Sequence, residues 1–169
     1  VDPASTVVDL ESPLGEICIE LFDTAAPETV ENFLDYLDSG EIDDTFIHRS
    51  VPGFVIQGGG YRAVAGVHES VPVRGDVDDV VLNEPCTLDT PVSEGSETLV
   101  CSTRGNERGT LSLAKRGGDP NSGTTNWFIN LTDNRVNLDY ANGGYTVFGR
   151  VFDDDLSVVD AIAGLPMAS

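Results

Sequence analysis

Extended, β-favouring runs recur along the whole chain, and every one is cut short. They fall at residues 5 to 10 (STVVDL), 15 to 22 (GEICIELF), 45 to 49, 54 to 57, 80 to 82, 110 to 114, 126 to 131 and 145 to 152, with clusters of Gly, Asn, Asp and Pro between them. Such clusters supply turn conformations that most residues resist, so they mark where an extended run reverses. The first two runs flank Ser12-Pro13-Leu14-Gly15 and predict a hairpin. In the second, Ile17, Ile19 and Leu21 alternate with Cys18, Glu20 and Phe22, which turns one apolar face toward a core. Short runs linked in this way predict a mainly β fold, a closed or nearly closed antiparallel barrel.

Two segments break the pattern with helical spacing. Pro27 suits a first helical position, Val30, Phe33, Leu34 and Leu37 repeat at i, i+3, i+4 and i+7, and Gly40 supplies a stop. Glu28, Glu31, Asp35 and Asp38 then face outward. A second helix is predicted near 155 to 163, where Leu156, Val159, Ile162 and Ala163 share a face ahead of Gly164 and Pro166. The two helices would cap the barrel. Residues 85 to 101 (PCTLDTPVSEGSETLVC) are turn-rich and look inserted into an otherwise single domain spanning 1 to 169.

Twenty-nine acids against nine bases leave a net charge of -20, with one lysine, Lys115. That balance argues against nucleic acid and anionic membranes as partners. No run approaches the ~18 apolar residues of a membrane-spanning helix, so no membrane association is expected. The acids are scattered, as on a heavily solvated surface; Asp-rich, Lys-poor composition also raises adaptation to a salty medium. The chain starts at Val1 without a Met, so a removed leader is one expectation.

Three blocks carry more specific information. Phe46-Ile47-His48-Arg49-Ser50-Val51-Pro52-Gly53-Phe54-Val55-Ile56-Gln57-Gly58-Gly59-Gly60 resembles the signature of the cyclophilins. So do Arg108-Gly109-Thr110-Leu111-Ser112-Leu113-Ala114 with Asn126-Trp127-Phe128-Ile129-Asn130, and Tyr145-Thr146-Val147-Phe148-Gly149-Arg150-Val151. The hairpin, the Pro-Glu-Thr-Val-Glu-Asn-Phe helix and the last helix keep the same order, so the likeness covers nearly the whole chain. With Leu-Asn-Glu at 82 to 84 and no long loop after Gly60, it looks most like the bacterial branch. The resemblance implies an eight-stranded, closed cyclophilin-like barrel capped by two α-helices. It also implies peptidyl-prolyl cis-trans isomerase activity in protein folding, on proline-containing polypeptides, by a monomer without cofactor or metal.

An X-Pro amide rotates slowly because its C–N bond has partial double-bond character, a barrier of ~18–20 kcal/mol. No bond breaks; a catalyst must favour the twisted state, whose prolyl nitrogen gains a lone pair able to accept a hydrogen bond. By resemblance Arg49 is the catalytic donor, a permanently charged fork of N–H groups. Phe54, Val55, Phe128 and Leu138 would line an apolar slot for the proline ring, although each also suits a plain core position. Gln57, two residues after Val55 and therefore on the same strand face, would orient Arg49 and meet a substrate carbonyl. Ala114 and Lys115 would face the substrate backbone, Lys115 through main-chain groups.

The chain departs from the family pattern at four places. Val55 replaces a usual methionine and widens the slot. Asn126 stands for glutamine and reaches less far. Tyr145 takes the place of a common histidine, keeping an apolar face and a polar tip. Asn137 stands where many members carry the tryptophan that favours cyclosporin, so cyclosporin binding is expected to be weak. These departures keep a second function in view, a module that holds proline segments without accelerating them.

Other patterns carry less. No G-x-S-x-G elbow accompanies His48 and His68; His48 is expected to make a structural hydrogen bond, with Arg49 on the opposite strand face. Asp119-Pro120-Asn121-Ser122-Gly123 departs from a calcium loop, with glycine one position early and Asn130 where the bidentate glutamate belongs. Gly58-Gly59-Gly60 reads as a strand end allowing close backbone approach. Cys86 and Cys101 bracket the insertion and are expected to be bridged, with Cys18 left as a buried thiol. A bridge favours a periplasmic or secreted protein; without it a cytoplasmic one is the alternative.

Overall fold

A computed structural model describes residues 5–71 and 81–166 of the chain. Its strands are β1 (Val7–Ser12), β2 (Gly15–Leu21), β3 (Arg49–Val51), β4 (Val55–Gly58), β5 (Tyr61–Val64), β6 (Val67–Ser70), β7 (Leu88–Pro91), β8 (Leu99–Cys101), β9 (Thr110–Leu113), β10 (Trp127–Asn130) and β11 (Val147–Val151). Three α-helices accompany them: α1 (Pro27–Asp38), α2 (Arg135–Leu138) and α3 (Leu156–Ala163).

Seven strands form one antiparallel sheet in the order β1-β2-β11-β9-β10-β4-β3. β1 and β2 are the expected hairpin, with Ser12 opposite Gly15. β2 then accepts β11, which also pairs with β9 across an irregularity between Val147 and Gly149. Glycine is required there, because a Cβ on Gly149 would meet the Glu20 carbonyl oxygen at 2.9 Å. Gly58 ends β4 in a similar way: its Cβ would meet the Trp127 ring at 2.8 Å.

One face of the curled sheet holds the main core. Ile17, Ile19 and Leu21 from β2, Ile56, Leu111, Ile129, Phe148 and Val151 from the central strands, Val30, Phe33 and Tyr36 from α1, and Val159 from α3 are all buried. The Phe33 and Phe148 rings meet edge-on at 5.2 Å. The buried stripe of α1 runs through Thr29, Val30, Phe33 and Tyr36, with Leu34 and Leu37 half-buried beside it. Its acids Glu28, Glu31, Asp35 and Asp38 are exposed, as their spacing predicts.

No side chain of α1 itself caps the helix start. Glu84 does so from a distant segment: its carboxylate accepts from the Glu28 N–H (3.2 Å), the Thr29 N–H (2.9 Å) and the Thr29 hydroxyl (2.7 Å). A negative group at a helix N-terminus meets both the free N–H donors and the favourable end of the dipole.

The architecture refines the expected barrel. The sheet that carries the site has seven strands and is open at β1 and β3, and no eighth strand joins it among the described residues. Of the run predicted at 80 to 82, residue 80 lies outside the described residues, and Val81 and Leu82 are not in a strand. Beyond them the Asn83 N–H donates to Asn121 Oδ1 and the Glu84 N–H to Thr146 Oγ1, so side-chain acceptors replace a strand ladder. The ribbon β5–β6 was not foreseen, and the insertion is not structureless, since β7 and β8 pair within it. Helix α2 is a third, very short helix beside the predicted two.

Candidate active site

The site grows out of the register of three strands. Arg49 on β3 lies opposite Gln57 on β4, and Gln57 lies opposite Phe128 on β10. Residues directly opposite in antiparallel strands share a face, so the three form one row across the sheet. Val55 joins them on that face, two residues before Gln57. The intervening Ile56 and Ile129 point into the main core. Strand alternation thus puts the site and the core on opposite faces of the same strands.

Val55, Phe128 and Leu138 form a small separate apolar cluster, with Phe54, Ala114 and Tyr145 packed at its margin. They line a pocket of about 210 Å³ together with Arg49, Gln57 and Lys115. The Phe128 and Tyr145 rings meet edge-on at 5.7 Å. Arg49 is exposed at the rim; its Nη1 donates to Gln57 Oε1 at 3.3 Å, and its guanidinium carbon lies 6.0 Å from the centre of the Phe54 ring. One side of the pocket is apolar and the other offers fixed donors.

Nine of the ten predicted substrate and catalytic positions meet in this pocket. The tenth, Asn126, does not. It lines an adjoining cavity of about 390 Å³ that shares Gln57, Ala114 and Lys115 with the first, and its Nδ2 donates to Thr125 Oγ1 at 3.4 Å. The short side chain holds the amide near its own backbone.

Lys115 was expected to act through main-chain groups, and its side chain proves more than a bystander. Its Nζ donates to Asn83 Oδ1 (2.9 Å) and to the Gly144 carbonyl (2.6 Å), 5.0 Å from the centre of the Tyr145 ring. Burial pulls its ammonium down to about 8. Asn83 also donates to the Gly143 and Gly144 carbonyls, so one asparagine and one lysine hold the loop that presents Tyr145.

Behind the pocket lies a buried polar network that sequence reasoning missed. Asp139 accepts from the Cys101 N–H (2.9 Å), the Asn106 N–H (2.9 Å) and Asn106 Nδ2 (3.0 Å). Asn106 Oδ1 accepts from the Ser112 hydroxyl and from Asn130 Nδ2, and Asn130 Oδ1 accepts from Asn134 Nδ2. Asn134 Nδ2 also donates to the Phe54 carbonyl at 2.9 Å. Paired in this way, buried polar groups cost little and fix geometry, here the backbone that carries Phe54 and Leu138. Asparagine-rich stretches read as loops in sequence, which hides such a hub.

Cys86 and Cys101 are joined by a disulfide, with Cα atoms 6.0 Å apart, next to Asp139. Cys18 is half-buried rather than buried, because it alternates with Ile17 and Ile19 and faces away from the core. Its thiol is pushed up to about 12, first by its hydrogen bond with Asp9, so it stays protonated at neutral pH. His48 leaves its Nδ1 buried without a hydrogen-bond partner, and its ring packs on Tyr61 at 4.9 Å. Burial lowers its pKa, opposed by a backbone hydrogen bond with Phe46 and helped by the neighbouring Arg49 charge. It lines a larger cavity of about 590 Å³ with His68, on the other side of the strand from Arg49.

The family model for cyclophilin type peptidyl-prolyl cis-trans isomerases matches residues 7–169. A peptidyl-prolyl cis-trans isomerase of Acinetobacter baylyi is 34% identical over 167 residues, 98% of this chain and 76% of that protein. One from Streptomyces antibioticus is 36% identical over 170 residues, covering 97% and 87% of the two chains. Peptidyl-prolyl cis-trans isomerase B of Escherichia coli is 35% identical over 156 residues, 89% of this chain and 80% of that protein. Among solved structures, a cyclophilin type isomerase of Cryptosporidium parvum superposes with a TM-score of 0.64 at 21% identity, covering 96% of this chain and 86% of that one. The same protein solved in the presence of the dipeptide Ala-Pro gives 0.63.

The chain belongs to the cyclophilin-type peptidyl-prolyl cis-trans isomerases. It is an isomerase of X-Pro peptide bonds, and the likeness to bacterial members read from its sequence holds in these relatives.

Proposed function

We propose that the Arg49 pocket is where a proline segment of another polypeptide is held and its X-Pro bond twisted. The row Arg49–Gln57–Phe128 carries this reading, since it sets a charged donor beside an apolar slot. The proline ring sits among Val55, Phe128 and Leu138, a surface that favours it by removing apolar area from water. Gln57 and the backbone at Ala114 and Lys115 hold the flanking chain. Arg49 then donates to the prolyl nitrogen, which accepts strongly only when the amide is twisted, so the interaction lowers the barrier rather than the ground state.

A rate gain of about 10⁵ requires ~7 kcal/mol off the barrier. One charged donor at an exposed rim supplies a part. Fixed flanking contacts and the less polar slot supply the remainder. An active isomerase and a passive proline-binding module part at one measurement: protease-coupled isomerisation of an X-Pro peptide, with Arg49→Ala alongside. Acceleration that survives Arg49→Ala unchanged removes Arg49 from the mechanism.

Further parts of this reading follow the same chemistry. The exposed Asn137 offers cyclosporin no apolar stacking surface, so nanomolar inhibition of the purified protein would contradict weak binding. The Cys86–Cys101 bridge fits an oxidising compartment, a periplasm or the cell exterior, and the enzyme works as a monomer. An eighth strand spanning β1 and β3 would complete the closed barrel.

A further inference from the structure

With twenty-nine acids to nine bases, several bases on this surface are paired with carboxylates. Arg108 pairs with Asp160 (2.9 Å), Arg135 with Asp133 and Glu107 (2.6 and 3.0 Å), and Arg150 with Glu107 (3.4 Å). The proline pocket and its adjoining cavity are lined differently. Arg49, Lys115 and Arg116 line them, and no Asp or Glu lines either.

Among the described residues none of these three cations pairs with an acid. Arg49 donates to an amide oxygen, and Lys115 to an amide and a carbonyl oxygen. Arg116 is exposed and bonds only through its backbone, its N–H donating to Ser122 Oγ and its carbonyl accepting from Asn142. The nearest acid along the chain, Asp119, has one carboxylate oxygen occupied by the Asn121 N–H. A strongly anionic protein thus keeps, among its described residues, a recess that is cationic and free of carboxylates.

We infer that this enzyme selects proline segments carrying an acidic side chain near the proline, with the proline ring in the smaller pocket and the acid in the adjoining cavity against Arg116 and Lys115. The inference rests on the pocket reading given above and adds the substrate class. Its physics is that of discrimination rather than tight binding. The net charge of -20 repels acidic polypeptides at long range, while the local cations reward one acid placed in register.

The test uses peptide pairs differing only by Glu or Gln, at each of three positions before and two after the proline. Affinity is read by NMR titration of labelled protein, and turnover separately by isomerisation rate. At one position Glu is favoured about fivefold, the range of one or two partly exposed ion pairs. The preference shrinks in molar salt. The Glu/Gln ratio falls toward one in Arg116→Gln and also drops in Lys115→Gln. Equal affinity for Glu and Gln at every position overturns the inference, as does a ratio unchanged in both variants. A Glu preference in affinity without acceleration would uphold this inference and break the catalytic reading; acceleration of both peptides with equal affinities would do the reverse.

Discussion

The two faces of β4 and β10 are built from adjacent residues and do opposite work. Ile56 and Ile129 enter a core sealed by α1 and α3, whereas Val55 and Phe128 enter a cluster with only one other buried member, Leu138. The sealed face is predominantly apolar. The other stands on a hydrogen-bonded floor of Asn106, Ser112, Asn130 and Asp139, and its rim carries Arg49 and Gln57. A recognition surface must leave apolar area uncovered, and this fold keeps that area small and fixes its borders with satisfied polar groups. The core and the proposed binding pocket thereby draw on alternate residues of one strand.

Four experiments break or sharpen that division. Ile129→Ala, at a position with no exposure, should cost about 3–4 kcal/mol in urea denaturation while activity per folded molecule persists. A loss of activity in the folded fraction would show the faces to be coupled. Replacing both Cys86 and Cys101 by serine should cost about 3 kcal/mol, the entropy of closing a loop of 15 residues. Hydrogen exchange should then rise around 99–106 and 134–139, behind the pocket, before it rises in β2 or β11. Arg49→Ala should lower kcat/KM at least tenfold, about 1.4 kcal/mol or more, with the denaturation midpoint unmoved because the side chain is exposed. A midpoint shift would mean that the site also holds the fold.

The smallest effect concerns pH. Lys115 lies lowered from 10.5 to about 8, so between those values the folded chain binds fewer protons than the unfolded one. Its contribution to stability therefore rises with pH across that window, and substitution by glutamine should flatten the rise. Comparing unfolding curves of the two proteins at pH 7.5 and pH 9.5 measures it.

Much of this was legible in the sequence. Alternation at Ile17, Ile19 and Leu21 announced the buried face of β2, and the block around Arg49 announced the site. Positions set by long-range polar bonds were not legible. Nothing local distinguishes Asn83 or Asn106 from loop asparagines, and Tyr36 entered the core because α1 sits slightly rotated from its Leu-based stripe. Val81 and Leu82 fit a strand by propensity, but the chain there turns to use Asn83 and Glu84 as anchors, and tertiary bonds override the preference.

The cap on α1 sets a timetable for synthesis. A helix of 12 residues is marginal alone in water, and the carboxylate that holds this one belongs to a residue 55 positions after Thr29. β2 waits longer still, since its Cys18 N–H bonds Asp155, 137 residues away. The hairpin and the first helix thus precede in the chain the side chains that anchor them, Glu84 for α1 and Asp155 for β2. The N-terminal elements therefore gain their full stability only when these distant contacts form.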